Sequence, residues 1–181
     1  MTRHPRKTDP TDLEAAVLGI LCRDGPCTTY AVRRHFLDSP APRWSGSAGA
    51  IYPLVRRLES AGLLVSKPGA SGKRSRRDYR ITRSGLAVLR RWLRSSSPAD
   101  SALPHDPLRT RMQFLEALPA AAATAFVTEV LETLTEQLAS LERRSRRGDE
   151  GCSRFERFAD RNAVLLTRAR IRWLKEVREV L

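Results

Sequence analysis

The chain has 181 residues, 41% of them hydrophobic, enough for one ordinary domain or a small domain with an accessory one, and not the composition of a wholly disordered chain. Its 33 Lys+Arg against 20 Asp+Glu give a formal charge of +13, unevenly spread: residues 1–98 hold 19 basic and 7 acidic side chains, residues 99–181 hold 14 and 13. No run of about eighteen apolar residues is present, and the polar start MTRHPRKTDPTD lacks the apolar middle of an export signal, so the expected setting is cytoplasmic, with no membrane partner.

A basic half joined to a nearly neutral half suggests that one part meets a polyanion while the other does something else. A basic surface kept for solubility gives the same charge pattern. Of the 33 basic residues 29 are Arg; guanidinium suits bidentate contact with phosphate or guanine, although a coding bias toward Arg gives the same ratio. Cys22, Cys27 and Cys152 are odd in number and do not make a disulfide framework. His4, His35 and His105 are scattered, whereas zinc would need about four clustered ligands. No metal and no cofactor is expected.

Thr11 followed by Glu14 matches a capping box, and Leu13, Ala16, Val17, Ile20 and Leu21 supply a helical apolar stripe, so a first helix is expected over about 12–23. Asp24-Gly25-Pro26 stops it. Thr28 or Thr29 can cap a second helix carrying Tyr30, Val32, Phe36 and Leu37, broken by Ser39-Pro40-Ala41-Pro42. A third helix lies within SAGAIYPLVRRLESAGLL, where Ile51, Leu54, Leu58 and Ala61 recur at helical steps up to Gly62. Its beginning is open: Pro53 is tolerable if the helix starts near Ala50, and otherwise implies a slight kink.

Leu63–Ser66 and Asp78–Thr82 read as paired strands joined by PGASGKRSRR, a cationic hairpin tip. Thr82 can cap a fourth helix through Arg94, with Leu86, Val88, Leu89 and either Trp92 or Leu93 turned inward. The Ser-, Pro- and Asp-rich segment 95–107 reads as a linker. Beyond it, LRTRMQFLEALP suggests a short helix closed by Pro119, and about 120–147 a long one with Val127, Leu131, Leu134, Leu138 and Leu141 at four- and three-residue steps. After a turn at 147–151, a last helix is expected to carry Phe158, Leu165, Ala169, Trp173, Val177 and Val180 on one face.

Three short helices followed by a hairpin with a basic tip is the order of a winged helix-turn-helix, whose second helix of the pair enters the major groove. The fold class expected is mainly α: a winged helix-turn-helix domain with a small two-stranded wing over 1–94, a linker at 95–107 and an α-helical dimerisation domain over 108–181. The nearly bare start of helix three (Ser47, Ala48, Gly49, Ala50) would let backbone N–H groups and the positive helix end approach a phosphate. Tyr52 and Arg56, four apart, would project together beside Pro53 and Arg57.

These residues resemble the PadR-like transcriptional regulators. The likeness rests on LGILCRDGPCTTYAVRRHF in the first two helices, WSGSAGAIYPLVRRLESAGLL in the third and GKRSRRDYRITRSGLAVL in the wing and fourth helix, about half the chain; the second block is the most specific. Thr28-Thr29-Tyr30 stands where the family usually has His-Gly-Tyr. The helical C-terminal part is similar to the longer subgroup, whose C-terminal helices build a dimer. The resemblance implies a dimeric bacterial repressor that binds double-stranded DNA at an inverted repeat and is often released by a small molecule.

The candidate DNA contacts are Thr29, Tyr30, Ser47, Gly49, Ala50, Tyr52, Pro53, Arg56 and Arg57, with Lys73, Arg74, Arg76 and Arg77 of the wing. Candidate dimer residues are Val127, Leu131, Leu134, Leu138, Leu165, Ala169, Trp173 and Val177. Trp92, Met112, Phe114 and Trp173 are candidates to line a pocket for an aromatic or amphipathic effector. An enzyme would need a clustered acid pair, a nucleophile with a placed base, a P-loop or a metal set, and no such motif is present. The alternative is a winged-helix module that binds protein or structured RNA.

Overall fold

The computed structural model of the chain describes residues 10–39, 44, 47–68, 77–96, 98–103, 105–147 and 153–181. Lys73, Arg74 and Arg76 of the expected wing tip, His4 and Cys152 lie outside the described residues. The chain forms two compact units, Met1–Pro104 and His105–Leu181.

In the first unit, α1 (Asp12–Asp24) opens on the expected capping box: Glu14 N donates to Thr11 Oγ1 at 3.3 Å, and Thr11 N donates to Glu14 Oε2 at 2.8 Å. Gly25, at φ 76°, takes a backbone conformation that side chains disfavour and ends the helix. Strand β1 (Cys27–Thr28) follows, and Thr28 then caps α2 (Thr29–Leu37) by accepting a bond from Ala31 N at 3.1 Å. A 3-10 turn at Ser47–Ala50 leads into α3 (Ile51–Ser60). Pro53 is thus the third helical residue, where an N–H would have no partner within the helix, and the question of its start is settled in favour of the late one.

Helix α3 closes with Gly62 N donating to Glu59 O and Leu63 N to Leu58 O, each at 2.9 Å, while Gly62 takes φ 71°. Strands β2 (Leu64–Pro68) and β3 (Arg77–Ile81) form the expected antiparallel hairpin, with Ser66 opposite Tyr79. The sheet has a third strand that the sequence reading left out: β1 pairs with β3, Cys27 opposite Tyr79 and Thr28 opposite Asp78, giving the order β1-β3-β2. Thr82 caps α4 (Arg83–Arg94) and ties it to the end of α3, its hydroxyl donating to Gly62 O at 2.8 Å.

The first core joins Val17, Leu18 and Leu21 of α1, Val32 and Phe36 of α2, Ile51, Leu54, Val55 and Leu58 of α3, and Leu64, Tyr79 and Leu89. On α2, Tyr30 and Leu37 depart from the expected stripe and are exposed. Val55 is buried while Ala61, at the C-cap of α3, is exposed. Trp92 packs on the core whereas Leu93 is exposed. Trp44, absent from any expected stripe, meets Phe36 with ring centroids 5.5 Å apart.

The expected linker is partly structured, with a single helical turn α5 at Pro98–Ser101. Its end belongs to the second unit: Asp106 caps α6 (Pro107–Met112), accepting from Leu108 N at 3.0 Å. The short helix expected to run to Pro119 stops earlier, because Phe114 leaves the helical region (φ −125°, ψ 14°) and a 3-10 turn, Leu115–Ala117, follows. A helix of about a dozen residues is marginal without strong packing, and here Leu108 and Leu115 alone are buried.

Helices α7 (Ala120–Arg147) and α8 (Arg154–Glu179) pack on each other, α8 opening on a second capping box between Ser153 and Glu156. Their core holds Ala123, Val127, Leu131, Leu134 and Leu174, with Leu108 and Leu115. The expected face of α8 is corrected: Val164, Thr167 and Leu174 are buried, whereas Phe158, Leu165 and Val180 are exposed large apolar residues and Ala169 is exposed too. The helix carries apolar residues on two faces, and only contact with α7 decides which one is covered.

Candidate nucleic-acid interface

Helix α2 packs against α3, so the two form a helix-turn-helix pair within the first unit. One face of α3 is spent on the core through Ile51, Leu54, Val55 and Leu58, each at most 3% exposed. The opposite face holds Tyr52, Pro53, Arg56 and Arg57, all exposed, with Tyr52 at 46%. Its beginning has neither a side-chain cap nor an acidic residue in the first turn. Gly49 and Ala50 are exposed there, and a Cβ added at Gly49 would meet nothing within 4 Å. Among the described residues, no packing requires glycine at 49.

The two arginines of α3 are not equivalent. Arg57 Nη2 lies 2.9 Å from Glu14 Oε1 on α1, so its charge is matched inside the unit. Arg56 has no ion pair or hydrogen bond among the described residues. Burial pushes the Glu14 carboxyl up, but hydrogen bonds from Thr11 and the guanidinium of Arg57 outweigh it and hold the group below its ordinary value.

On α2, Thr29 is buried and offers no free surface, whereas Tyr30 is 56% exposed. The neighbouring Tyr30 hydroxyl and the Asp38 carboxylate, 3.4 Å from Arg34 Nε, raise the pKa of the Arg34 guanidinium. At the base of the hairpin Arg77 is exposed and sits 3.8 Å from Glu59. Ser47, in the turn before α3, is half-buried.

A second cluster ties α1 to α2. Asp24 Oδ2 lies 2.8 Å from His35 Nε2, and Arg23 Nε is 2.5 Å from Asp24 Oδ1; the Arg23 hydrogen bond, with help from His35, lowers the Asp24 pKa. Cys27 is half-buried, and that burial raises its thiol, helped by Asp24 and Asp78. Among the described residues no three His, Cys, Asp or Glu side chains stand where they could hold a metal ion, and no helix is long and apolar enough to cross a membrane.

The expected pocket residues lie in two separate cores. Trp92 packs on the first, Met112 and Trp173 on the second, and Phe114 is 66% exposed. The expected dimer residues divide as well: Val127, Leu131 and Leu134 are buried within their own unit, Leu138 is half-buried, Trp173 and Val177 pack on the same core, and Leu165 and Ala169 face outward.

Residues 17–91 match the model of the "Transcriptional regulator PadR-like family", and residues 104–181 that of the "Virulence activator alpha C-term" region. Over residues 17–91 the chain therefore carries the domain of the PadR-like family. It is similar to the negative transcriptional regulator PadR of Bacillus subtilis (strain 168), 25% identical over 131 residues that cover 72% of this chain and 71% of the relative. Its fold is similar to the crystal structure of Bacillus subtilis PadR in complex with operator DNA, with a TM-score of 0.82 at 22% identity over 95% of this chain and 99% of that one. The same relative in complex with p-coumaric acid gives 0.76 at 20% identity over 93% and 94%. At these identities the structural likeness is one of fold.

Further cations lie in the first unit. Arg33 of α2, Lys67 of β2, Arg80 of β3 and Arg83 at the start of α4 make no ion pair or hydrogen bond among the described residues. Lys67 and Arg80 alternate with inward-facing residues along the hairpin, a period-2 signal that was legible once the strands were placed.

Proposed function

We propose that the chain is a sequence-specific, DNA-binding regulator of transcription, a dimeric repressor acting at an inverted repeat in the cytoplasm. The observation that supports it best is α3 itself: an acid-free, uncapped beginning with a glycine that no described residue demands, followed by exposed Tyr52 and by Arg56, unpaired among the described residues, opposite a wholly buried face. Such a helix can bring backbone close to the phosphate wall while side chains reach base edges. Tyr30, Arg33, Lys67, Arg77, Arg80 and, at the hairpin tip, Lys73, Arg74 and Arg76 serve as backbone contacts in this reading.

A second copy is the partner of the outward face of α8, where Phe155, Phe158, Leu165 and Leu166 are exposed. Two recognition helices related by a two-fold axis would then reach major grooves about one helical turn apart, roughly 10 bp or a multiple. Release by a small aromatic or amphipathic effector belongs to the same reading, supported by the likeness to a relative crystallised with p-coumaric acid. No catalytic role is proposed.

The test is to sequence DNA fragments that co-purify with the protein and measure binding to the recovered site against a scrambled duplex and a structured RNA. A palindromic site, bound at least tenfold tighter than the scrambled duplex and weakening steeply with salt, is expected. Equal affinity for scrambled DNA, or preference for the RNA, would overturn the reading. Effector action is reciprocal: a molecule that weakens operator binding must itself bind less tightly, by the same factor, to the protein saturated with operator.

A further inference from the structure

The second unit carries a groove of about 380 Å³ between α7 and α8 that the DNA-binding reading does not use. Leu131, itself buried, contributes its floor. Thr128 and Thr135 flank it, but their hydroxyls already donate to the carbonyl oxygens of Thr124 at 2.8 Å and Leu131 at 2.7 Å. Neither hydroxyl proton is left to bridge charges, so the threonines add chiefly apolar surface.

The walls are charged and opposite in sign. Glu132 and Glu136, four apart on α7, share one side; Lys175 and Arg178, three apart on α8, share the other. Elsewhere along this pair of helices opposite charges close on each other, as in Arg168 with Glu142 at 2.7 Å and Arg144 with Asp160 at 3.8 Å. Around the groove they do not: among the described residues none of the four makes an ion pair or a hydrogen bond. Two acids and two bases are held apart across an apolar floor.

A ligand with a single charge would satisfy one wall and leave the other unanswered, and two charges of each sign give the groove no net field favouring an anion or a cation. A molecule carrying both charges answers both walls at once, its ammonium toward Glu132 and Glu136 and its carboxylate toward Lys175 and Arg178, where a guanidinium can form paired hydrogen bonds. We propose that this groove binds a small aminocarboxylate with an apolar body, of the chemistry of a free amino acid with an aliphatic side chain. The site lies wholly within the second unit and stands whether or not the first unit reads DNA.

Calorimetric titration of the full chain with leucine, N-acetylleucine and leucinamide separates the contributions, because the latter two each lack one charge. Leucine should bind saturably and the other two roughly tenfold or more weaker, the loss of one charge-assisted contact. The pair Glu132→Gln with Glu136→Gln, and the pair Lys175→Gln with Arg178→Gln, should each abolish leucine binding, while Arg172→Gln, in an exposed ion pair with Glu176 at 3.4 Å, should leave it intact. The wild-type ligand series does not depend on how the variants fold. Absence of saturable leucine binding, equal affinity for all three molecules, or binding indifferent to both double variants would overturn the proposal. So would double variants that change only the sedimentation mass, since the groove would then be filled by a second copy.

Discussion

Arg57 on α3 reaches back to Glu14 on α1, Nη2 to Oε1 at 2.9 Å, and the same carboxylate closes the capping box with Thr11. One side chain therefore fixes the beginning of the first helix and restrains α3. Because the Glu14 pKa is lowered in the folded state, its contribution is fully present above the unfolded carboxylate value and is lost as pH falls through the folded one. Glu14→Gln should cost about 1 kcal/mol at pH 7, the usual scale for a cap or a charge-assisted bond. Thermal melts of wild type and variant should converge as the pH is lowered through the folded value, and a gap that stays constant into acid would refute the assignment.

Two glycines should behave in opposite ways. A Cβ at Gly85 would lie 2.2 Å from the carbonyl oxygen of Leu63, a backbone atom that cannot step aside, so Gly85→Ala should lower the melting temperature sharply. A Cβ at Gly49 meets nothing within 4 Å, so Gly49→Ala should leave stability unchanged or slightly raised. If DNA approaches the bare beginning of α3, Gly49→Leu should weaken operator binding while melting stays close to that of wild type. Unimpaired binding by that variant would place the DNA elsewhere.

The arginines of α3 offer a finer test of readout. Loss of Arg56, or of the Tyr52 ring, should cost about 1–3 kcal/mol on the operator and relax preference at particular base pairs. Arg57→Gln should register mainly as lost stability, since its charge is already matched by Glu14. Exposed Arg80 should act on all duplexes alike and reduce the salt slope. Binding to a library of operator variants at two salt concentrations, with a thermal melt for Arg57→Gln, measures all three, and an Arg56 variant that changes the salt slope alone would rule out base contact.

Dimerisation should separate from folding along α8. Phe158→Glu with Leu165→Glu changes exposed positions, so the helix content should hold while sedimentation shows a monomer. Leu131→Ala removes a buried side chain and should cost about 2–5 kcal/mol of stability. A dimer that survives the double glutamate variant would move the interface off this face.

Local chemistry was readable in the sequence. Thr11 with Glu14, Thr28 and Thr82 each cap the helix expected of them, because a cap depends on residues two or three positions away. The span of α7 matches the expected 120–147, although its apolar period runs for only about two heptads. What failed to show depends on distant partners. Strand β1 is two residues long and exists through pairing with Tyr79 and Asp78. Arg57 meets an acid 43 positions earlier, which no spacing rule indicates. On α8, Val164, Leu165 and Leu166 stand side by side with similar hydrophobicity, and only α7 determines that Val164 goes inside. At the candidate interface, Tyr52 and Arg56 were legible as the face opposite the buried stripe, but the difference between Arg56 and Arg57 was not.

Thr28 takes part in two structures at once. Its backbone pairs with Asp78 in the sheet and its hydroxyl caps α2. The root of the hairpin and the start of the helix-turn-helix are thereby pinned to a single residue, below any change made farther along the hairpin. Insertions or deletions at the tip can therefore alter how far the wing reaches without re-aiming α3. If the wing grips DNA and α3 reads it, as proposed, the two are adjustable one at a time, and a lineage could retune its affinity by editing a surface loop while keeping the same target.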